Sequence, residues 1–125
     1  MKILTDNEIL RIHSKLVEKY GGQDGVRDEG TFHSECAMPF QSFGDYELYP
    51  DIYDKGIRYL FGFVTNQVFL DGNKRTGVMC MLIFLKENGI ELKLTSKELS
   101  DIGYSVAKDE MDANDVKDFL LEHTV

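Results

Sequence analysis

The chain has little of the chemistry that would place it in several large functional classes. It carries two cysteines, Cys36 and Cys80, and neither belongs to a Cys/His cluster of metal-ligand spacing. That excludes a disulfide framework and a zinc site, and the two read as buried thiols of a reducing cytosol. Basic residues are scarce: 14 Lys plus Arg stand against 22 Asp plus Glu, a formal net charge of −8, and no basic run exceeds Lys74-Arg75. A protein that tracks a nucleic-acid backbone needs the opposite balance, so no nucleic-acid partner is expected. The acidic surplus suits a solvated surface, with steering of a basic partner segment as the alternative. Long apolar runs are missing too. The longest, Gly77 to Leu85, falls far short of a membrane span, and Met-Lys-Ile-Leu-Thr-Asp at the start lacks the apolar core and cleavage site of an export signal. These absences lead to the expectation of a cytoplasmic protein with no membrane partner.

What remains is an ordinary globular composition. With 125 residues, 42% of them hydrophobic, plus eight Phe and six Tyr, the chain can bury a real core, and residues 1–125 are expected to form one domain. Thr5 and Glu8 form a capping-box pattern, followed by Ile9, Ile12, Leu16 and Tyr20 at helical spacing until Gly21-Gly22 stops them. A shorter helix is predicted over roughly Gly30 to Ala37, closed by Pro39. Phe40 to Pro50 has no helical period and mixes aromatics with Gly44 and Asp45, which predicts a surface flap, extended or a short hairpin. A helix entered through Pro50 is predicted from Asp51 to about Gln67, with Ile57, Leu60, Phe61, Val64 and Val68 as its stripe. Thr76 to Glu87 is apolar nearly all round and predicts a central helix surrounded by the others. Ile90, Leu92 and Leu94 read as a short extended connector. Thr95 with Glu98 opens a helix to about Lys108, and Asp112 caps a last one through about Glu122. The fold class is all-α, with about six helices and a flap.

The segment Phe69-Leu70-Asp71-Gly72-Asn73-Lys74-Arg75-Thr76 interrupts two apolar helices with polar residues and glycine. Such a junction gathers free N–H groups and the positive end of a helix dipole, and Lys74 and Arg75 add formal charge, so it is suited to an anion. It does not fit the Walker pattern, and a P-loop fold is not implied. Asp71 can act as the N-cap of the following helix or hold Mg²⁺ against phosphate oxygens; the residues alone leave both open. Lys74 and Arg75, taken singly, could equally be solvated surface charges.

In family order and spacing, the chain carries Gly21-Gly22-x-x-Gly25-Val26-Arg27-Asp28, Pro39, Tyr49-Pro50, Asn66-x-x-Phe69-Leu70-Asp71-Gly72-Asn73-Lys74-Arg75-Thr76-Gly77 and Phe84-Leu85-x-x-Asn88-Gly89. With these it resembles the Fic/Doc superfamily, specifically the death-on-curing toxins of toxin–antitoxin pairs, over nearly its whole length. The resemblance implies a Fic-type helical core, a flap that positions a target segment, and ATP held with Mg²⁺ at the loop. It implies that Asp71 serves the metal, that Phe69, Gly72, Asn73, Lys74 and Arg75 bind the nucleotide, and that Gln67, Asp71, Lys74 and Arg75 occupy the catalytic positions. Adenylylating members usually carry Gly where Lys74 stands and a second Arg where Val78 stands. Both departures are similar to the death-on-curing branch, for which the implied chemistry is transfer of the γ-phosphoryl group of ATP to a hydroxyl of a translation protein of the elongation factor Tu class.

One departure bears on activity. The family motif begins with a histidine acting as general base, and here that position is Gln67, whose amide cannot accept and hold a proton at neutral pH. Loss of such a base costs on the order of 10²–10⁴ in rate, so an inactive or impaired enzyme is expected, with a non-catalytic nucleotide- or antitoxin-binding module, or an AMP transferase, as alternatives. His13, His33 and His123 lie outside the motif and read as ordinary surface or packed histidines, because nothing in their spacing places an imidazole beside the loop. The inhibitory pattern [Ser/Thr]-x-x-x-Glu-[Gly/Asn] of adenylylating relatives has no match: Thr31-x-x-x-Glu35 is followed by Cys36 and Ser14-x-x-x-Glu18 by Lys19. Regulation is therefore expected from a separate antitoxin that folds into a hydrophobic groove.

Overall fold

A computed structural model describes all 125 residues. It is all-α with one small hairpin: α1 (Asp6–Tyr20), α2 (Glu29–Ala37), β1 (Ser42–Phe43), β2 (Tyr46–Glu47), α3 (Ile52–Thr65), α4 (Asn73–Glu87), α5 (Ser96–Ala107) and α6 (Ala113–Glu122). The starts follow from capping chemistry. Thr5 and Thr95 each accept an N–H bond from the glutamate three residues on, and that glutamate side chain bonds back to the cap N–H. Asp112 and Asp115 do the same for α6.

Four predicted boundaries move. Asp28 accepts from the N–H of Thr31 at 2.8 Å, so α2 begins at Glu29 rather than Gly30. Helix α3 is capped by Asp51, whose Oδ1 accepts from the N–H of Asp54, and Pro50 lies just outside it. It also stops at Thr65, short of Gln67, because Gln67 has φ 45°, a left-handed conformation that cannot continue a right-handed helix. Helix α4 starts at Asn73, three residues before the predicted Thr76, which puts Lys74 and Arg75 on its first turn.

Helix α4 is the centre of the fold, packed against α1, α3 and α5. Its Cys80, Met81, Phe84 and Leu85 are fully buried or nearly so with Tyr59, Leu60 and Phe63 of α3, and each large apolar side chain so buried contributes about 1.5–3 kcal/mol. Burial pushes both thiols, Cys36 and Cys80, well up from their ordinary range, which leaves them unreactive. The predicted enclosure of α4 is incomplete: Met79 and Leu82 are half-buried and look into a groove between α1 and α5. The connector after α4 is extended as predicted and pairs with the chain end, Leu92 opposite Thr124, with Lys93 N–H donating to the His123 carbonyl. No helix is long and apolar enough to cross a membrane.

The hairpin occupies the predicted flap, with Ser42 opposite Glu47 and Phe43 opposite Tyr46. Its foot is tied down from α3: the ammonium of Lys55, itself buried, donates to the Tyr49 carbonyl and to Glu47 Oε1. Helix α6 is fastened to the start of α3 by Lys117, which reaches Asp51 Oδ2 at 2.7 Å and Asp54 Oδ1 at 3.0 Å. Burial raises the Asp51 carboxyl, but the Lys117 ammonium and the Asp54 N–H outweigh that and hold it below the usual aspartate range. A carboxyl depressed in the folded state stabilises at neutral pH and loses that contribution as pH falls through its folded pKa. Lys117→Met is therefore expected to lower unfolding free energy by about 1 kcal/mol at neutral pH, with the deficit shrinking as the carboxylates protonate. Urea unfolding across that range checks it, and a deficit that does not change with pH would show that the pair contributes nothing.

Candidate functional site

The loop between α3 and α4 is placed by a short antiparallel pairing with the segment before α2. Val26 sits opposite Phe69, Arg27 N–H donates to the Val68 carbonyl at 2.9 Å, and Leu70 N–H to the Gly25 carbonyl at 3.1 Å. Phe69 is buried, stacked on the His13 ring with centroids 3.9 Å apart and edge-on to Phe32 and Phe63. Its ring therefore belongs to the core and anchors the loop. Asn73 closes the loop on itself: its Oδ1 accepts from Phe69 N–H at 2.8 Å and its Nδ2 donates to the Phe69 carbonyl at 2.9 Å. Both ends of the Asn73 amide are thus engaged in shaping the turn, and so are both backbone groups of Phe69.

Gly72 then takes the N-cap of α4 with φ 77° and ψ 22°, a left-handed conformation costing a residue with a Cβ about 1–2 kcal/mol. It makes no side-chain cap, and the first backbone bond of the helix is Thr76 N–H to the Gly72 carbonyl. The N–H groups of Asn73, Lys74 and Arg75 precede any helical acceptor and form the positive end of the helix. Asp71 is not the N-cap that one sequence reading allowed. Its Oδ2 accepts from Gln23 N–H at 2.8 Å, which ties the loop to the glycine turn after α1.

His13 corrects the expectation that no imidazole lies beside the loop. It is 1% exposed and its Nε2 lies 2.7 Å from the Asp71 carbonyl. A carbonyl only accepts, so Nε2 carries the proton, and Nδ1 faces Asp24 Oδ1 at 3.3 Å. His13 shares the buried face of α1 with Ile9, four residues earlier, and its partner lies 58 residues away, beyond the reach of any spacing rule. His33, exposed beside Asp6, and His123, bonded to the Phe119 carbonyl, are the ordinary histidines expected.

The two ends of the loop open on different clefts. At the α4 end, about 510 Å³ lies between α1, α4 and α5, bounded by Gly72, Asn73, Lys74 and Arg75 and floored by Leu16, Val78, Met79, Leu82 and Leu99. Arg75 stands 4.6 Å over the ring of Tyr20 and Lys74 5.4 Å from that of Tyr104; both basic side chains are exposed. At the α3 end, Gln67 Oε1 accepts from Arg27 Nη1 at 2.9 Å. Asn66 Nδ2 donates to Glu35 Oε1 at 2.6 Å, and Glu35, 6% exposed, faces Arg58 Nη2 at 3.1 Å. Arg58 also lies 5.9 Å from the Tyr49 ring, so one guanidinium touches both the flap and the support of the loop.

Arg27, Glu35 and Arg58 were missing from the sequence-level site. Glu35 left a trace, standing with Phe32 and Cys36 on the one buried face of α2 where an apolar residue would be ordinary. Arg27 lay within the family-like run but carried no legible role. Chemically, the α4 end can receive a phosphate through free N–H groups, Lys74 and Arg75. No three His, Cys, Asp or Glu side chains converge; a divalent ion would rest on Asp71, whose Oδ1 makes no bond within the protein, with phosphate and water as its other ligands. That donor set fits Mg²⁺, which binds in this way beside nucleotides.

An all-helical domain with a short hairpin and one exposed basic helix start is the class this geometry defines. The chain belongs to the Fic/Doc family, whose model, described as Fic/DOC family, matches residues 3–85. It is 29% identical over 120 residues to a protein of Escherichia phage P1 named "Protein kinase doc", covering 96% of this chain and 94% of that protein. It is 34% identical over 73 residues to "Toxin Doc" of Mycolicibacterium smegmatis, covering 58% of this chain and 56% of that protein.

Two substitutions test the architecture. His13→Ala removes a buried stacking partner and leaves the Asp71 carbonyl unpaired, with an expected loss of about 3 kcal/mol in urea unfolding; a loss under about 1 kcal/mol would mean the loop holds without it. A Cβ at Gly62 would overlap Glu35 Oε2, so Gly62→Ala is expected to cost about 1–3 kcal/mol. Glu35→Ala should relieve much of that cost in a double-mutant cycle, and strict additivity would place the strain elsewhere.

Proposed function

We propose that this chain is a Doc-type toxin that binds ATP with Mg²⁺ at the start of α4 and is built to transfer the γ-phosphoryl group to a hydroxyl of a cytoplasmic translation protein of the elongation factor Tu class. The observation that carries the reading is the left-handed Gly72 followed by three uncapped N–H groups with Lys74 and Arg75 exposed on the same turn. A phosphate chain placed there would meet the helix dipole and both formal charges, and phosphoryl transfer relies mainly on such positioning and neutralisation. Bound Mg²⁺ would supply charge neutralisation between phosphate oxygens. Asp71 would hold it, steadied by Gln23 N–H on one oxygen and by His13 on its carbonyl. Lys74 at its position and Val78 in place of a second arginine favour γ-phosphoryl transfer over AMP transfer. The names of the phage P1 and M. smegmatis relatives support kinase and toxin chemistry.

Gln67 makes the chain impaired in this reading, since its amide offers no proton acceptor of useful basicity and its oxygen is already engaged by Arg27. The same observation favours the second reading, a binding module that takes nucleotide or antitoxin without turnover. In either case the partner in trans is an antitoxin segment, with the apolar floor formed by Leu16, Val78, Met79, Leu82 and Leu99 as its seat and an acidic group meeting Lys74 and Arg75.

Transfer of label from γ- or α-labelled ATP to bacterial lysate proteins, compared for the chain and its Gln67→His variant, separates these readings. The expected result is γ-label with Gln67→His at a rate about 10²–10⁴ above the unaltered chain; α-label would establish AMP transfer, and no label in either would favour the binding module. Mg²⁺-dependent ATP binding by calorimetry is expected to be lost on Arg75→Ala, and absence of binding in the unaltered chain would overturn both nucleotide readings.

A further inference from the structure

The α3 end of the loop is more tightly specified than a lost base would require. Gln67 is one of two non-glycine residues with positive φ, the other being Asp109, and such strain persists only where the surroundings hold it. What holds it here is Arg27, twice. The backbone N–H of Arg27 bonds the carbonyl of Val68, the residue next to Gln67, and its Nη1 donates to Gln67 Oε1. A guanidinium has donors only, so the amide must turn its oxygen to Arg27, which leaves the two Nε2 hydrogens for whatever enters the cleft of about 350 Å³ that both residues line.

We infer that Arg27 is a positioning residue of this site: it orients the residue-67 side chain as a hydrogen-bond donor toward the cleft, and its charge would disfavour protonation of an imidazole at that position. The second half rests on the proposed function, in which residue 67 stands where the family has its base. The guanidinium acts on either side chain. An amide already donates, and Arg27 commits its best acceptor elsewhere. An imidazole there would stand beside the same cation, and its protonated form would set two positive charges side by side, which disfavours protonation.

The other charged groups nearby do not duplicate this effect. Asp28 lines the same cleft, but its carboxylate is engaged by the N–H and hydroxyl of Thr31. Glu35 and Arg58 oppose each other behind Asn66. Replacing Arg27 alone therefore isolates its contribution.

The test is an NMR pH titration of the new imidazole in Gln67→His, in Gln67→His with Arg27→Gln, and in Gln67→His with Arg27→Lys, without nucleotide or target. With Arg27 present, the imidazole pKa is expected to lie at least about half a unit lower than with Arg27→Gln, roughly a threefold change in proton affinity at this solvent-exposed site; Arg27→Lys, which keeps the charge, should retain part of the shift. Equal values, or a higher value with Arg27 present, would overturn the inference. Should the double variants fail to fold, side-chain ¹⁵N relaxation in the unaltered chain and in Arg27→Met alone gives a second reading. The Gln67 amide is expected to be ordered in the former and mobile in the latter, and equal mobility would overturn the inference. Neither measurement needs phosphoryl transfer. A shifted titration with no labelled product would therefore fail the proposed function alone, and labelled product with an unshifted titration would fail Arg27 alone.

Discussion

The pairing of residues 25–27 with residues 68–70 is the constraint on which the rest of the site depends. Two backbone hydrogen bonds are a small interaction by themselves, each contributing about 1 kcal/mol net. Their importance lies in register. Val26 opposite Phe69 brings Arg27 to Gln67, and the turn just before it brings Gln23 to Asp71 and Asp24 to His13. A slip of one residue would separate every one of these pairs and turn the side chains to the opposite face. Phe69 guards against that slip, because its ring is locked between His13, Phe32 and Phe63 while its backbone is closed by Asn73.

Much of the architecture was legible because it rests on local rules. Capping boxes at Thr5 and Thr95, the aspartate cap at Asp112 and the glycine stop after Tyr20 are contacts between residues a few positions apart, and their chemistry is written in the order of the chain. The flap was legible as an interruption of period, and its register follows from a turn at Gly44, whose φ is 63°. The candidate site residues from Gln67 to Arg75 stand out in the sequence as a run, by the resemblance more than by physics.

What was not legible is long-range and polar. His13 and Asp71, Arg27 and Gln67, and Glu35 and Asn66 are pairs 58, 40 and 31 residues apart. A histidine or glutamate on an apolar face signals that a partner exists, because burying it unpaired would cost several kcal/mol, but the face does not say which partner. Polarity hides the start of α4 at Asn73 for a related reason. Asn73, Lys74 and Arg75 look like loop by polarity, yet polar side chains are normal on a first helical turn whose cap is a left-handed glycine and whose Asn closes backward onto the loop.

The loop therefore has two ends with unlike tolerance for change. At the α4 end the charge-bearing groups, Lys74 and Arg75, project from a helix that the core holds in place, so their removal subtracts electrostatics while Thr76, Gly77 and Val78, all buried, keep the helix where it is. At the α3 end the side-chain contacts of the cleft and the backbone pairing of the fold share the same residues. Arg27 is both the donor to the Gln67 side chain and half of the backbone pairing, and Glu35 supports Asn66 only because Gly62 has no Cβ to displace it. A substitution there that changes chemistry also shifts geometry unless it keeps size and hydrogen-bond sense. Glutamine at position 67 meets that condition toward Arg27, whose N–H its amide oxygen accepts. A change of side chain at position 67 that keeps this acceptor therefore leaves the pairing of residues 25–27 with 68–70, and with it the start of α4, in place.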